Sequence, residues 1–219
     1  MALSQTIHSD FEKFRHPFTA ICVGASFCGK THYIAKLIEN KDVMITPKVQ
    51  RVIYSYKKYQ PIFDTLKDVE FVQGMNFELN KSIPTLLVID DQMTESNKKL
   101  TELFTVCAHH ENTSIIFISQ VLFFQDKAYR NACQNAMYMI LFRSPRSKNQ
   151  IANLARQMFP GSKAKGMVEA FEDATSKPYH NLIIDFKPDT PELVRLRSNC
   201  LPNEGKKFGM ANLSHCYFI

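Results

Sequence analysis

The chain has 219 residues, of which 45% are hydrophobic, so it can bury one substantial core and a single α/β domain is expected. It contains no run of about 18 apolar residues, and its first twenty residues carry four charged side chains without a signal-peptide core, so we expect a soluble, intracellular protein with no membrane partner. Its net charge is +6, and its six widely spaced cysteines form no C-x-x-C pair of the kind that zinc or redox sites use.

The first motif in chain order is a glycine-rich loop at residues 24–31 that matches G-x-x-x-x-G-K-[ST] in full. It follows an apolar strand pattern at 19–23 and precedes a helical pattern, which is the context that a phosphate-binding loop requires. Lys30 is expected to neutralise the β- and γ-phosphates of ATP, and Thr31 to offer its hydroxyl to Mg²⁺. The alternative is a glycine turn with a surface lysine. The predicted nucleotide-binding residues are Gly24, Ala25, Ser26, Phe27, Cys28, Gly29, Lys30 and Thr31.

The second motif is a pair of carboxylates at the end of an apolar strand. A strand at 51–56, a short helix at 60–67 and a short strand at 69–72 precede the run at 85–89, which is typical of a strand buried on both faces. Asp90 and Asp91 close that run, and ligands of open α/β sheets bind at this end of the strands. Asp90 is therefore the candidate Mg²⁺ ligand, and Asp91 the candidate that orients or deprotonates the attacking water. The alternative is a solvated turn after a strand.

The remaining elements continue the alternation of helices and strands. The patterns predict helices at 97–108, 126–135, 147–158 and 162–174, and strands at 114–118, 136–142 and 181–186. This order favours an α/β P-loop NTPase fold with a mainly parallel sheet and helices on both faces. The same order of elements is found in NTPases that have an additional strand between two motif strands: the Walker A strand, which leads into the glycine-rich loop, and the Walker B strand, which ends in the acidic pair. Gln120 follows the predicted strand at 114–118 and is expected to contact the γ-phosphate or its attacking water. The alternatives are that Gln120 caps a helix or faces solvent.

The basic residues are concentrated in one segment, residues 127–165, which has eight lysines and arginines and no acidic residue. A one-signed region of this size favours a phosphate-rich partner such as a nucleic-acid backbone, although a solvated basic helix face is the alternative. The eight residues are Lys127, Arg130, Arg143, Arg146, Lys148, Arg156, Lys163 and Lys165.

Several segments together resemble the genome-packaging ATPases of the FtsK/HerA superfamily, the poxvirus-like packaging ATPases of DNA viruses and Polinton (Maverick) elements, in particular the Polinton, adintovirus and adomavirus type. The resemblance covers roughly residues 14–202 and implies an ATPase domain at 16–202 between an N-terminal extension at 1–15 and a C-terminal tail at 203–219. Beyond the two motifs and residues 16–19 and 54–61, the segments that carry it lie at 103–123, 141–146, 150–157 and 193–197. The chain departs from the usual pattern at Val121 and Ser147, where such proteins have Asn and Asp.

The resemblance implies a function as well as a fold. It makes residues 24–31 the Walker A loop, Asp90 and Asp91 the Walker B pair and Gln120 the sensor of a Mg²⁺-dependent ATPase that moves double-stranded DNA into a preformed capsid. Such proteins form homo-oligomeric rings in which an arginine reaches the neighbour's nucleotide; Arg130 and Arg146 are the candidates here, although either could be a structural ion-pair residue.

The implied protein partners are capsid portal or vertex proteins, and the implied location of a viral protein is the host nucleus, the assembly site or the virion. Two alternatives stay open: a DNA helicase or translocase of the same superfamily without a packaging role, and a P-loop small-molecule kinase, which the Asp-Asp strand and the following glutamine disfavour.

Overall fold

A nine-stranded, mostly parallel sheet forms the centre of the part of the chain that the computed structural model describes, residues 13–90, 97–107, 112–123, 126–202 and 215–217. A separate two-stranded parallel sheet pairs β1 with β3. The strands are β1 Phe14–Arg15, β2 Thr19–Val23, β3 Ile45–Thr46, β4 Arg51–Tyr56, β5 Glu70–Gln73, β6 Thr85–Asp90, β7 Thr113–Ser119, β8 Tyr138–Phe142, β9 Asn181–Asp185, β10 Leu196–Ser198 and β11 His215–Cys216.

The order of strands in the large sheet is β5-β4-β6-β7-β2-β8-β9-β10-β11. The six strands from β5 to β8 are parallel, so their carboxyl ends meet at one edge of the sheet. β7 lies between β2, which leads into the glycine loop, and β6, which ends in Asp90. The additional strand expected between the two motif strands is thus confirmed.

The helices are α1 Lys30–Glu39, α2 Lys41–Met44, α3 Asn97–Glu102, α4 Lys127–Gln134, α5 Lys148–Met158 and α6 Lys163–Ala174. None of the helices in the described ranges is long and apolar enough to cross a bilayer. The segment expected to be helical at 60–67 forms a 3₁₀ helix, Pro61–Thr65, and α3 continues into a π-helical turn, Leu103–Cys107. Further 3₁₀ turns occupy Pro145–Ser147 and Glu192–Val194.

Alternation along the central strands divides the core into two layers, as a period of two requires. In β2, Ile21 and Val23 belong to the layer that α3 to α6 cover, whereas Ala20 and Cys22 belong to the layer that α1 covers. All five residues of β2 are buried, which explains why its sequence is continuously apolar. The expected α/β class, with helices on both faces of a mainly parallel sheet, is confirmed.

One edge of the sheet differs from the expected pattern, because β9, β10 and β11 are antiparallel to their neighbours. The physical reason lies between β8 and β9, where the chain forms two packed helices, α5 and α6, in place of one. A single helix after a strand returns the chain to the edge of the sheet where the parallel strands begin. A second helix brings the chain again to the edge where they end. β9 therefore begins beside the end of β8, with Asn181 opposite Phe142.

Candidate functional site

The glycine-rich loop connects β2 to α1 at the carboxyl edge of the sheet. The Gly24 N–H donates to the carbonyl of Ser119, at an N···O distance of 3.3 Å, which ties the loop to β7. A Cβ on Gly24 would lie 2.6 Å from the Phe142 Cβ and 2.7 Å from the Cys28 Sγ, so β8 and the loop leave room only for glycine. Gly29 precedes α1 with φ of 103°, a left-handed conformation that glycine adopts without strain.

The Lys30 side chain lies over this loop and is only 8% exposed. Its Nζ donates to the carbonyls of Gly24 and Ala25 at 2.7 and 2.8 Å. The first turn of α1 contains no acidic residue, so no side chain of that turn opposes the positive potential of the helix N-terminus. The loop, the helix end and the ammonium group together suit an anionic ligand.

Asp90 is the last residue of β6 and is 7% exposed. Its Oδ2 accepts hydrogen bonds from the Tyr54 hydroxyl at 3.1 Å and from the Gln60 Nε2 at 3.2 Å. Burial raises the pKa of Tyr54, and the neighbouring Asp90 carboxylate raises it further, so the phenol stays protonated and remains a donor. Donors of this kind fix the orientation of carboxylates that bind metals.

A cleft of about 770 Å³ brings the predicted residues together: Lys30, Thr31, Asp90 and Gln120 all line it. Gln120 follows β7 and is exposed, and its Oε1 accepts a hydrogen bond from the Ser26 hydroxyl at 3.3 Å. Because β7 lies between β2 and β6, Gln120 stands between the glycine loop and Asp90. Carboxylate and hydroxyl oxygens are ligands that Mg²⁺ accepts, so the donor set of Thr31 and Asp90 fits this ion.

The other predicted site residues are not at this cleft or cannot be placed. Asp91 lies outside the described residues. Neither Arg130 nor Arg146 is among the described residues that line the cleft. Arg130, on α4, borders a separate apolar cavity of about 530 Å³, and Arg146 is exposed in the 3₁₀ turn that follows β8. Within one chain, the structure does not bring either arginine to the glycine loop.

Sequence reasoning missed five residues that bear on the site. Lys57 and Lys58, which follow β4, and Tyr179, which precedes β9, line the cleft directly. Tyr54 and Gln60 hold Asp90, and Gln60 also lines the cleft. A signal was available for Lys57 and Lys58, because they follow the predicted strand at 51–56 and so lie at the carboxyl edge of a parallel sheet. Tyr179 had no such signal, because the sequence patterns assigned no direction to the strand at 181–186.

The helices of the basic segment at 127–165 cover the face of the sheet opposite α1. All eight of its lysines and arginines are exposed, and six of the eight belong to α4, α5 and α6. Within the part of the chain that the structure describes, Lys165 is the one of the eight that forms an ion pair, with Glu169 at 3.5 Å and with both side chains largely exposed. Such an exposed pair contributes about 0–1 kcal/mol to stability, so it holds the Lys165 side chain only weakly.

A glycine loop between a central strand and its helix, with an acidic residue ending the strand two positions away in the sheet, defines a P-loop α/β fold. No family model and no curated protein sequence matches the chain. One similar solved structure is B204, the DNA-packaging ATPase from Sulfolobus Turreted Icosahedral Virus, with 13% identity and a TM-score of 0.48 over 78% of this chain and 93% of that chain. Another is the cytoplasmic domain of the Thermomonospora curvata Type VII secretion ATPase EccC, with 13% identity and a TM-score of 0.49 over 79% of this chain and 24% of that chain.

Proposed function

We propose that the chain is a Mg²⁺-dependent ATPase that moves double-stranded DNA into a preformed capsid. The observation that carries the hydrolytic part is the common cleft of Lys30, Thr31, Asp90 and Gln120. The DNA part is supported by the exposed, acid-free basic segment at 127–165. The packaging role, with capsid portal or vertex proteins as partners, is supported by the resemblance to packaging ATPases of the FtsK/HerA superfamily.

Each residue of the cleft has a role in this reaction. The N–H groups of residues 24–31 and the Lys30 ammonium bind the phosphates, and the lysine reaches them by rotating about its flexible side chain. Thr31 and Asp90 hold Mg²⁺, which neutralises charge on the phosphates when it is bound. Gln120 and Asp91 orient the attacking water, and Asp91 accepts its proton.

Contacts of β7 with the glycine loop and with α4 connect the cleft to the basic segment, and they provide the coupling between hydrolysis and movement in this proposal. The end of β7 touches the glycine loop through Gly24 and the α4 helix through Tyr129, whose hydroxyl donates to the Ser119 Oγ at 3.2 Å. α4 carries Lys127 and Arg130 of the basic segment. A shift of the β7 end on γ-phosphate release is therefore passed to residues that contact the DNA backbone.

The proposal includes a homo-oligomeric ring, in which an arginine of a neighbouring chain stabilises the transition state. Arg130 and Arg146 are exposed and do not line the cleft of their own chain, which suits a residue that acts in the next subunit. Such an arginine accounts for about 10³–10⁵ in rate. The Arg146→Ala protein should lose ATP hydrolysis at concentrations where the wild type is oligomeric. Normal hydrolysis under these conditions would exclude Arg146 as the arginine that acts in the neighbouring subunit.

The experiment measures phosphate release by the purified chain with Mg²⁺ and ATP, in the presence of duplex DNA, single-stranded DNA or neither. Duplex DNA should stimulate turnover and single-stranded DNA should not; the reverse result would favour a helicase, and no stimulation would contradict a DNA motor. Lys30→Ala should reduce turnover below about a tenth of the wild-type value without loss of fold, since it removes the cation at the phosphates. Higher residual turnover would overturn the assignment.

A further inference from the structure

Tyr179 lies against the glycine loop although the sequence patterns gave it no role. It lines the cleft, and its side chain is 67% exposed. A Cβ built on Gly29 would lie 2.9 Å from the Tyr179 Cδ1 and 3.4 Å from its Cα, so the ring and its backbone pass directly over the start of α1. An exposed aromatic ring therefore borders the loop expected to hold phosphates.

The fold holds this tyrosine in a defined position. The turn after α6 is closed by two backbone hydrogen bonds, from Ser176 to Asp173 and from His180 to Lys177. Asn181 then pairs with Phe142 at the end of β8, next to the glycine loop. Tyr179 itself has φ of 67°, a left-handed conformation that costs free energy for an aromatic residue and that is concentrated at ligand sites.

The two ends of the cleft differ in chemistry. Asp90, Lys57 and Lys58 lie toward β6 and β4, on one side of the glycine loop, where charge suits a terminal phosphate, Mg²⁺ and the attacking water. Tyr179 lies on the other side, toward β8 and β9. A nucleotide with its phosphates on the loop and its γ-phosphate toward Asp90 has its base at the Tyr179 end.

We propose that Tyr179 forms the nucleobase subsite of this cleft, with its ring stacked on the face of a purine. The inference rests on the proposed function, because it takes the phosphates to bind at residues 24–31. Stacking uses the face of the ring and not its hydroxyl, so a phenylalanine serves equally well. Purines present a larger face than pyrimidines, so the subsite favours ATP over CTP.

The test compares the affinities of the wild type, Tyr179→Ala and Tyr179→Phe for ATP, CTP and inorganic triphosphate by calorimetry. Tyr179→Ala should bind ATP about 5- to 150-fold more weakly, bind inorganic triphosphate as the wild type does, and lose most of the preference for ATP over CTP. Tyr179→Phe should retain the wild-type affinities. The matched control is Tyr59→Ala, since Tyr59 is a similarly exposed tyrosine, at 50%, that does not line the cleft.

Three results would overturn the subsite. An unchanged ATP affinity in Tyr179→Ala would exclude stacking. An equal loss of affinity for ATP and inorganic triphosphate would show that the ring only supports the glycine loop. If the wild type bound neither ATP nor inorganic triphosphate, and Lys30→Ala behaved in the same way, the proposed function would be refuted. The subsite would be refuted with it.

Discussion

Gly24→Ala tests whether close packing between the glycine loop and β8 sets the geometry of the site. The added Cβ would lie 2.6 Å from the Phe142 Cβ, 2.7 Å from the Cys28 Sγ and 3.4 Å from the Phe142 Cα. The Cys28 thiol can rotate away, but the Phe142 Cβ is fixed to the backbone of a buried strand, so the loop itself has to move. Overpacking of this kind costs about 1–3 kcal/mol. For a chain of this size, the melting temperature should fall by about 2–12 °C.

The displacement should affect activity more than stability, because the Gly24 carbonyl contacts the Lys30 ammonium and the Gly24 N–H binds Ser119. Thermal unfolding by circular dichroism and phosphate release, measured on the same preparation, separate the two effects. Gly161→Ala is the control for a loss of stability away from the cleft: a Cβ there meets nothing within 4 Å and Gly161 does not line the cleft, but its φ of 63° makes alanine strained, so the melting temperature should fall while turnover stays unchanged. A Gly24→Ala protein with wild-type melting temperature and turnover would refute the packing argument.

Three further substitutions test single contacts. Tyr54→Phe removes one donor to Asp90, so the Mg²⁺ concentration for half-maximal turnover should rise by about 10- to 100-fold; an unchanged value would contradict an orienting role. Asp91→Asn should bind ATP but not hydrolyse it, and intact hydrolysis would exclude a general base there. Burial lowers the pKa of His16 below 6.5, so the folded state binds fewer protons than the unfolded state and the free energy of unfolding falls as pH drops below about 6.5. In His16→Gln the melting temperature should depend less on pH between 7 and 5; parallel profiles would contradict this.

The sequence was sufficient to predict the parts of the site that local patterns encode. Lys30 and Asp90 each follow from a strand and the residues at its end, and the parallel direction of β6 and β7 follows from the helical segment that joins them. The partners of Asp90 were not predictable in the same way, because Tyr54 reads as an ordinary strand residue. Its hydroxyl meets Asp90, which lies 36 positions further along the chain, only because β4 pairs with β6.

The direction of β9 and the role of Tyr179 were missed for a different reason. The sequence patterns predict two helices between β8 and the last strand. Two packed helices of similar length, α5 and α6, return the chain to the carboxyl edge of the sheet, where β8 ends. A parallel β9 would have placed the residues after Asp185 beside the glycine loop; the antiparallel strand places the residues before Asn181 there. The two helices between β8 and β9 therefore decide which side chains of this strand reach the ligand edge, and they add an aromatic ring to a cleft otherwise built from the ends of parallel strands.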